Sequence, residues 1–160
     1  MAKKGATGDW DAAIKFMKEA EKRSSSAGRK ATDRAAMHFR TIVKKWIRGR
    51  AYAPNARSTI KAKGSSLPLV EHGDLRSNIT WGKEGKHFAV VGVKRGKTDK
   101  ETGESLVNIG WALQEGFKTR KGVIVPPRPF LDKPIEDKTV QRALYKKYVD
   151  TFKTEFFDKK

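Results

Sequence analysis

The chain has 160 residues, a mass of 18.0 kDa and a hydrophobic content of 37%, which suits one hydrophobic core rather than two. It has no cysteine, which excludes disulfides and thiolate metal sites, and no apolar run approaches the roughly 20 residues of a transmembrane helix. The formal net charge of +18 favours polyanionic partners such as nucleic acid. We therefore expect a soluble, unprocessed protein made in a reducing cytoplasm, without membrane contact.

The first predicted element is an amphipathic helix of about four turns in residues 9–22. Its apolar side chains recur at helical spacing: Trp10, Ala13, Ile14, Met17 and Ala20. The run of serines and glycine at 24–28 interrupts this pattern and predicts a break or linker. The interruption divides the chain into an N-terminal helical extension, residues 1–28, and one α+β domain, residues 29–160.

A stronger apolar stripe follows in residues 29–49 and predicts a second helix, which packs one face on a sheet and ends at Gly49. The stripe consists of Ala35, Phe39, Ile42, Val43, Trp46 and Ile47. Prolines, glycine and serines in residues 51–71 break any period and predict a long loop. Such a loop can become ordered when a neighbouring subunit binds.

The middle of the chain predicts a strand at 75–81, a turn at 82–86, a strand at 87–94, an exposed loop at 94–105 and a short helix at 106–117. The two strands are expected to pair as a β-hairpin. The helix should end at Gly116, and a basic turn should lead from it to a strand at 123–125.

Prolines dominate the next segment. Pro127 and Pro129 fix their own φ angles and favour extended geometry before them, so residues 125–130 predict a rigid arm that presents Arg128 and Phe130. We expect Phe130 to be buried under the C-terminal helix. We expect Arg128 to bind a carboxylate of the same subunit or to reach a neighbouring subunit.

Apolar residues at helical spacing from Ile135 to Phe156 predict a long C-terminal helix, with Asp132 as its N-cap and Pro134 in its first turn. Phe156 and Phe157 either fold back on the core or contact another subunit. Together the elements define an α+β fold. It is a small antiparallel β-sheet flanked by a long helix and a C-terminal helix, with an N-terminal helix.

Residues suited to catalysis are sparse in this sequence. The histidines His38, His72 and His87 do not show a metal-binding spacing, and the acidic residues at 9–11 and 132–137 are typical of helix starts. The glycines at 92 and 96 fall one residue short of phosphate-loop spacing. We therefore expect a protein that is not an enzyme and has no cofactor or metal.

Four segments between residues 67 and 136 carry a family resemblance through their order and spacing. They are Gly73-Asp74-Leu75-Arg76, then Val91-Gly92-Val93, then Asn108-Ile109-Gly110-Trp111-Ala112-Leu113-Gln114-Glu115-Gly116, and finally Pro127-Arg128-Pro129-Phe130. In this order they resemble the phage tail-completion or neck proteins, also described as head–tail connector, minor tail or virion-morphogenesis proteins.

The resemblance implies a structural virion protein that joins the head-side connector to the tail and surrounds the DNA channel. The implied location is the neck region of the virion, after synthesis in the cytoplasm of a host bacterium. The expected partners are copies of the chain itself in a sixfold or twelvefold ring, a connector or adaptor protein on the head side, and a tail terminator or tail tube protein. Proximity to DNA would be non-specific.

Two sets of candidate site residues follow. The candidates for a subunit interface are Gln114, Glu115, Arg128, Phe130, Phe156 and Phe157. The candidates for facing DNA or another anionic partner are Lys44, Lys45, Arg48, Arg50, Arg57, Lys61, Lys118, Arg120 and Lys121.

The alternative function is that of a small basic protein that binds nucleic acid without sequence specificity, through charge and the aromatic residues Trp46, Tyr52 and Trp81. A stacking platform needs exposed rings on a basic surface, whereas most rings here fall on apolar faces of predicted elements. A nuclease is a more distant third, because clustered acids for metal ions are missing.

Overall fold

The structure, a computed structural model, describes residues 10–49, 73–120 and 122–158. Between the first two ranges it also describes Tyr52, Arg57, Ile60, Lys61, Gly64 and Leu69. The described helices are α1 (Trp10–Arg48), α2 (Asp74–Ser77), α3 (Leu106–Glu115), α4 (Asp132–Glu136) and α5 (Lys138–Lys153), which continues into a π-helical turn (Thr154–Asp158). The strands are β1 (Ile79–Lys83), β2 (Ala89–Val93), β3 (Phe117–Lys118) and β4 (Ile124–Val125). The predicted α+β class is confirmed.

Helix α1 is continuous from Trp10 to Arg48, so the predicted break at residues 24–28 is wrong. A glycine inside a helix costs about 1 kcal/mol relative to alanine, which tertiary packing can offset. Here Gly28 is buried, and a Cβ built on it would lie 3.6 Å from both His87 Nδ1 and Tyr148 Oη. The boundary between residues 28 and 29 therefore lies inside a packed helix.

Helices α1 and α5 pack antiparallel to each other. The Lys30 ammonium lies 2.7 Å from the Glu155 carboxylate near the end of the chain, while Leu144 and Ile135 line a groove with Thr32 and Phe39 further along α1. Helix α1 also packs against β1 and β2. The buried core cluster consists of Val43, Ile47, Leu69, Leu75, Ile79 and Phe130, and none of these residues belongs to α5.

The main sheet is the antiparallel hairpin of β1 and β2, in register from Ile79↔Val93 to Lys83↔Ala89. The predicted strand at 75–81 begins too early, because residues 74–77 form α2, a single helical turn after Gly73, whose φ is 77°. The predicted turn at 82–86 is also displaced. Strand β1 continues to Lys83, and the turn is closed by a 2.9 Å hydrogen bond from Glu84 N–H to the Phe88 carbonyl.

A second, smaller hairpin follows α3. The predicted helix at 106–117 ends at Glu115, and Phe117 instead pairs with Val125 in the β3–β4 ladder. Gly116 makes this change of direction possible, since its φ is 77° and a Cβ built on it would lie 2.8 Å from the Val125 carbonyl oxygen. The short predicted strand at 123–125 is therefore present as β4.

The predicted single C-terminal helix is interrupted at Asp137, whose ψ of 118° is extended. Asp137, rather than Asp132, caps the long helix: its carboxylate accepts hydrogen bonds from Thr139 N–H at 2.7 Å and Val140 N–H at 3.3 Å. Asp132 is the first residue of α4, and the N-cap position of this helix is Leu131, which makes no side-chain cap hydrogen bond. Among the described helices, none is long and apolar enough to cross a membrane.

Candidate subunit interface and anionic surface

The four segments that carry the family resemblance meet at Gly110 of α3. A Cβ built on Gly110 would lie 3.1 Å from Val93 Cγ2, 3.5 Å from Phe130 Cζ and 3.6 Å from Leu75 Cδ1. Each of these three side chains comes from a different one of the other segments. The segments are therefore parts of one packed unit, in which a glycine lets α3 approach the hairpin and the arm closely.

The arm at residues 125–130 is fixed to α3 by its backbone. Arg128 N–H donates a 2.7 Å hydrogen bond to the Leu113 carbonyl, and Phe130 N–H donates to the Arg128 carbonyl at 2.8 Å. Phe130 is 1% exposed, so its predicted burial is confirmed. The buried cluster around Phe130 includes no residue of α5. Phe130 is a core residue, and its side chain is not available at the subunit surface.

The other interface candidates near the arm differ in burial and in hydrogen bonding. Arg128 is half-buried, and burial lowers the pKa of its guanidinium. Gln114 connects α3 to α4, because its Nε2 donates to Asp132 Oδ2 at 2.9 Å. Glu115 is exposed at the end of α3. Of these three side chains, Glu115 is the one presented to solvent.

The aromatic residues of the C-terminal end form a stack along one side of α5 and the π-helical turn. Ring centroids are 6.4 Å apart for Tyr148 and Phe152, 5.6 Å for Phe152 and Phe156, and 4.8 Å for Phe156 and Phe157. Phe156 is half-buried in this stack, whereas Phe157 at its end is 69% exposed. The stack therefore leaves one ring, Phe157, available for contact with another subunit.

Among the basic candidates, Lys44 is held within the fold. Its Nζ donates to the Ser77 carbonyl at 3.3 Å, and Arg76 Nε donates to the Lys44 carbonyl at 3.2 Å. Burial, and then the charges of Arg40 and Arg76, lower the pKa of Lys44. The remaining described candidates are exposed: Lys45, Arg48, Arg57, Lys61, Lys118 and Arg120. Arg50 and Lys121 lie outside the described residues.

The three aromatic residues considered for nucleic-acid stacking are all half-buried: Trp46, Tyr52 and Trp81. The Trp46 indole nitrogen and the Tyr52 hydroxyl are buried, and the two groups are near neighbours. None of the three is an open ring of the kind that a base-stacking platform requires.

Sequence reasoning missed two properties of the surface. The first is that the apolar stripe predicted on the N-terminal half of α1 is left exposed: Trp10 is 64%, Ile14 49% and Met17 69% exposed. The second is a groove of about 480 Å³ between α1 and the β1–β2 turn, lined mainly by basic residues. The helical spacing of Lys18, Lys22 and Arg29 is a sequence signal for this groove, but the position of the hairpin is not.

The chain matches no protein family, no curated protein and no solved structure. Within the part of the chain that the structure describes, no group of three or more His, Asp or Glu side chains could hold a metal ion.

Proposed function

We propose that this chain is a structural subunit of the neck of a phage or phage-like particle, where it joins the head-side connector to the tail. The observation that carries the proposal is the convergence of the four resembling segments at Gly110, where Leu75, Val93 and Phe130 surround the α3 backbone. The contact of these segments with one another, in addition to their order along the chain, is what supports the proposal.

The distribution of apolar surface supports a role in assembly. Residues 10–25 of α1 are exposed except for half-buried Ala20, and they carry Trp10, Ile14 and Met17 on one side. Heptad spacing places Trp10 and Met17 in line with buried Ala31, and Ile14 in line with buried Gly28, further along the helix. A single subunit leaves the first half of this stripe uncovered, and a helix of a neighbouring copy is the partner that we propose for it.

The distribution of charge also favours contact between copies along the first half of α1. Residues 10–28 contain four basic residues (Lys15, Lys18, Lys22, Arg23) and three acidic residues (Asp11, Glu19, Glu21), so their net charge is +1 in a chain of +18. Repulsion between copies is therefore weak along this segment. The exposed basic residues elsewhere, including Lys45, Arg48, Lys118 and Arg120, are proposed to face DNA inside a ring.

Electron microscopy tests the proposal directly. We expect the purified protein to form closed rings, alone or on connector-bearing particles, and to restore tail joining to particles that lack it. Light scattering at low salt measures self-association in solution. A chain that stays monomeric within the particle, or that never associates with the particle, would contradict the proposal.

The alternative is a non-specific nucleic-acid-binding protein, and the basic groove beside α1 is the observation that favours it. The two functions predict different results with the isolated chain. Binding to DNA combined with no ring formation and no restoration of tail joining would support the alternative.

A further inference from the structure

The groove beside α1 combines a row of cations with a wall from a different part of the chain. It is lined by Lys18, Glu21, Lys22, Ser25, Ser26, Arg29 and Lys86, which together we call the basic groove. Lys18, Lys22, Ser25 and Arg29 lie at positions i, i+4, i+7 and i+11 and therefore share one side of the helix. From the first to the last, the helix rises about 16 Å. Lys86 lies in the β1–β2 turn and forms the opposite wall.

Packing at Gly28 positions this second wall. Gly28 is buried, and both His87 Nδ1 and Tyr148 Oη lie 3.6 Å from the Cβ position that a larger residue would occupy. His87, which follows Lys86 in the turn, therefore lies against α1 at Gly28, the residue before Arg29. The hairpin therefore places Lys86 beside the helical row, 57 residues along the chain from Arg29.

The cations of the basic groove are available to a ligand. Other basic residues of the chain pair with acids, as in Lys30–Glu155 at 2.7 Å and Lys83–Asp33 at 2.8 Å. Over the described residues, Lys18, Lys22, Arg29 and Lys86 make no ion pair or side-chain hydrogen bond. With one acid, Glu21, the lining has a net charge of +3.

The composition of the lining indicates the class of ligand. Four cations with two serine hydroxyls are suited to the phosphate oxygens of a polyanion. The lining residues include no aromatic ring, so the groove offers no surface on which unpaired bases could stack. A row of about 16 Å is long enough to contact several phosphates of a polyanion such as duplex DNA. A small phosphate compound would use only part of such a row.

We propose that the basic groove binds the phosphate backbone of duplex DNA. The proposal rests on the proposed function only for the choice of duplex DNA as the polyanion, and it assigns the contact to residues outside the nine basic candidates identified from sequence. Since a single subunit contains the whole groove, binding does not require a ring. Failure of ring assembly and failure of DNA binding are therefore separate results.

The first test measures binding of the full chain to a fluorescent duplex of arbitrary sequence between about 50 and 200 mM NaCl. Four phosphate contacts predict a slope of log K against log salt of about −3.6 from the groove itself. The groove double variant, with Lys22→Gln and Arg29→Gln together, should make the measured slope shallower by about 1.8. Lys146→Gln/Lys147→Gln removes the same charge from exposed residues of α5 and should change the slope much less.

A second test seeks a gain of affinity. Glu21→Gln removes a negative charge from the groove and should tighten DNA binding about threefold at low salt. Glu19→Gln makes the same change in net charge on an exposed residue of α1 that does not line the groove, so its effect should be smaller. Lys86→Gln should weaken binding, because it removes the wall contributed by the hairpin turn.

Several results would overturn the proposal. One is no binding by the wild-type chain at low salt, and another is an equal loss in the groove and α5 double variants, which would mean that net charge alone governs affinity. Unchanged DNA binding by Lys86→Gln would mean that the hairpin turn does not contribute to the site.

Stronger inhibition of DNA binding by inorganic phosphate than by chloride at equal ionic strength would assign the groove to a small anion. Groove variants that lose binding to anionic lipid vesicles but keep DNA binding would assign the groove to a membrane surface. Circular dichroism and melting temperatures should be unchanged in all variants, since every substituted residue is exposed.

Discussion

Among the residues that the structure describes, Phe130 is the largest side chain that is completely buried, and it joins the proline-rich arm to the core formed by α1, α2 and β1. Burial of the Phe130 ring costs little backbone entropy, because Pro129 restricts the backbone immediately before it. The same restriction explains how a segment with little regular secondary structure can contribute a central core residue.

Removal of this ring should destabilise the subunit strongly. Phe130→Ala is expected to lower the free energy of unfolding by about 3 to 5 kcal/mol, through lost burial and the cavity that remains. Urea denaturation measures this change. Phe157→Ala is a matched control, because its ring is 69% exposed, and its effect should stay within about 0.5 kcal/mol. Similar losses for the two variants would contradict the packing described here.

Tyr52 should make stability depend on alkaline pH. Burial raises the pKa of its hydroxyl above the usual 10.0, and the nearby Trp46 indole offsets only part of this shift. The stabilising contribution is complete below pH 10.0 and is lost as the pH rises through the folded-state pKa, since the unfolded chain ionises first.

Tyr52→Phe removes the titrating group while keeping a ring for Lys133, whose Nζ lies 5.6 Å from the Tyr52 ring centroid. Unfolding free energies of wild type and variant should be compared near pH 8 and near pH 11. The wild type should lose more stability than Tyr52→Phe between the two conditions. An equal loss would mean that the Tyr52 pKa is not raised in the folded state.

At the scale of elements, the interruption at Asp137 separates α4 from the longer α5. The Asp137 carboxylate satisfies two backbone N–H groups of α5, at Thr139 and Val140. Asp137→Ala should therefore cost about 1 kcal/mol of stability, within the usual range for an N-cap. Asp132→Ala breaks an exposed hydrogen bond to Gln114 and should cost less. A larger loss for Asp132→Ala in thermal unfolding would assign the cap to Asp132.

Helix α1 contains a glycine that its packing does not require. The Cβ of an alanine at position 28 would meet His87 and Tyr148 at 3.6 Å, which is ordinary van der Waals contact. Gly28→Ala should therefore stabilise the chain by about 0.5 to 1 kcal/mol through helix propensity.

Gly116→Ala provides a control of opposite sign. Its φ of 77° disfavours a side chain, and its Cβ would lie 2.8 Å from the Val125 carbonyl oxygen. The melting temperature should therefore rise for Gly28→Ala and fall for Gly116→Ala. A lower melting temperature for Gly28→Ala would show that the glycine is needed for close packing.

At the scale of the whole molecule, the uncovered stripe on the first half of α1 should control association more than folding. Trp10→Ser/Ile14→Ser/Met17→Ser substitutes side chains that are 64%, 49% and 69% exposed. Light scattering should show weaker self-association, because apolar area between copies is lost. The melting temperature, measured at a concentration where the wild type is monomeric, should change little.

The matched control is Phe88→Ser/Val90→Ser, since these side chains of the hairpin are 73% and 49% exposed. The control should leave self-association unchanged. Equal effects of the two sets of substitutions would indicate non-specific apolar contact and contradict a helical interface.

Much of the fold could be predicted where a local period was strong. Both apolar stripes of α1, the paired strands β1 and β2, and α3 up to Gly116 all correspond to patterns in neighbouring residues. The misassigned segments are those whose conformation depends on distant contacts. Serines and glycine at 24–28 read as a break, yet α1 continues through them, and Gly28 is buried beside His87 of the β1–β2 turn and Tyr148 of α5.

The sequence by itself determined the charge of the chain, the absence of thiol chemistry, the mixture of helical and strand periods, and the stiffness of the arm that carries Phe130. These properties belong to residue types and to neighbours along the chain. Only the tertiary structure decided which cations are free. Lys44 is held by the Ser77 carbonyl, whereas the row at Lys18, Lys22 and Arg29 becomes a groove when packing at Gly28 brings Lys86 beside it. The physical reason is that the meeting of residues far apart in the chain depends on the packing of whole elements, which no local pattern encodes.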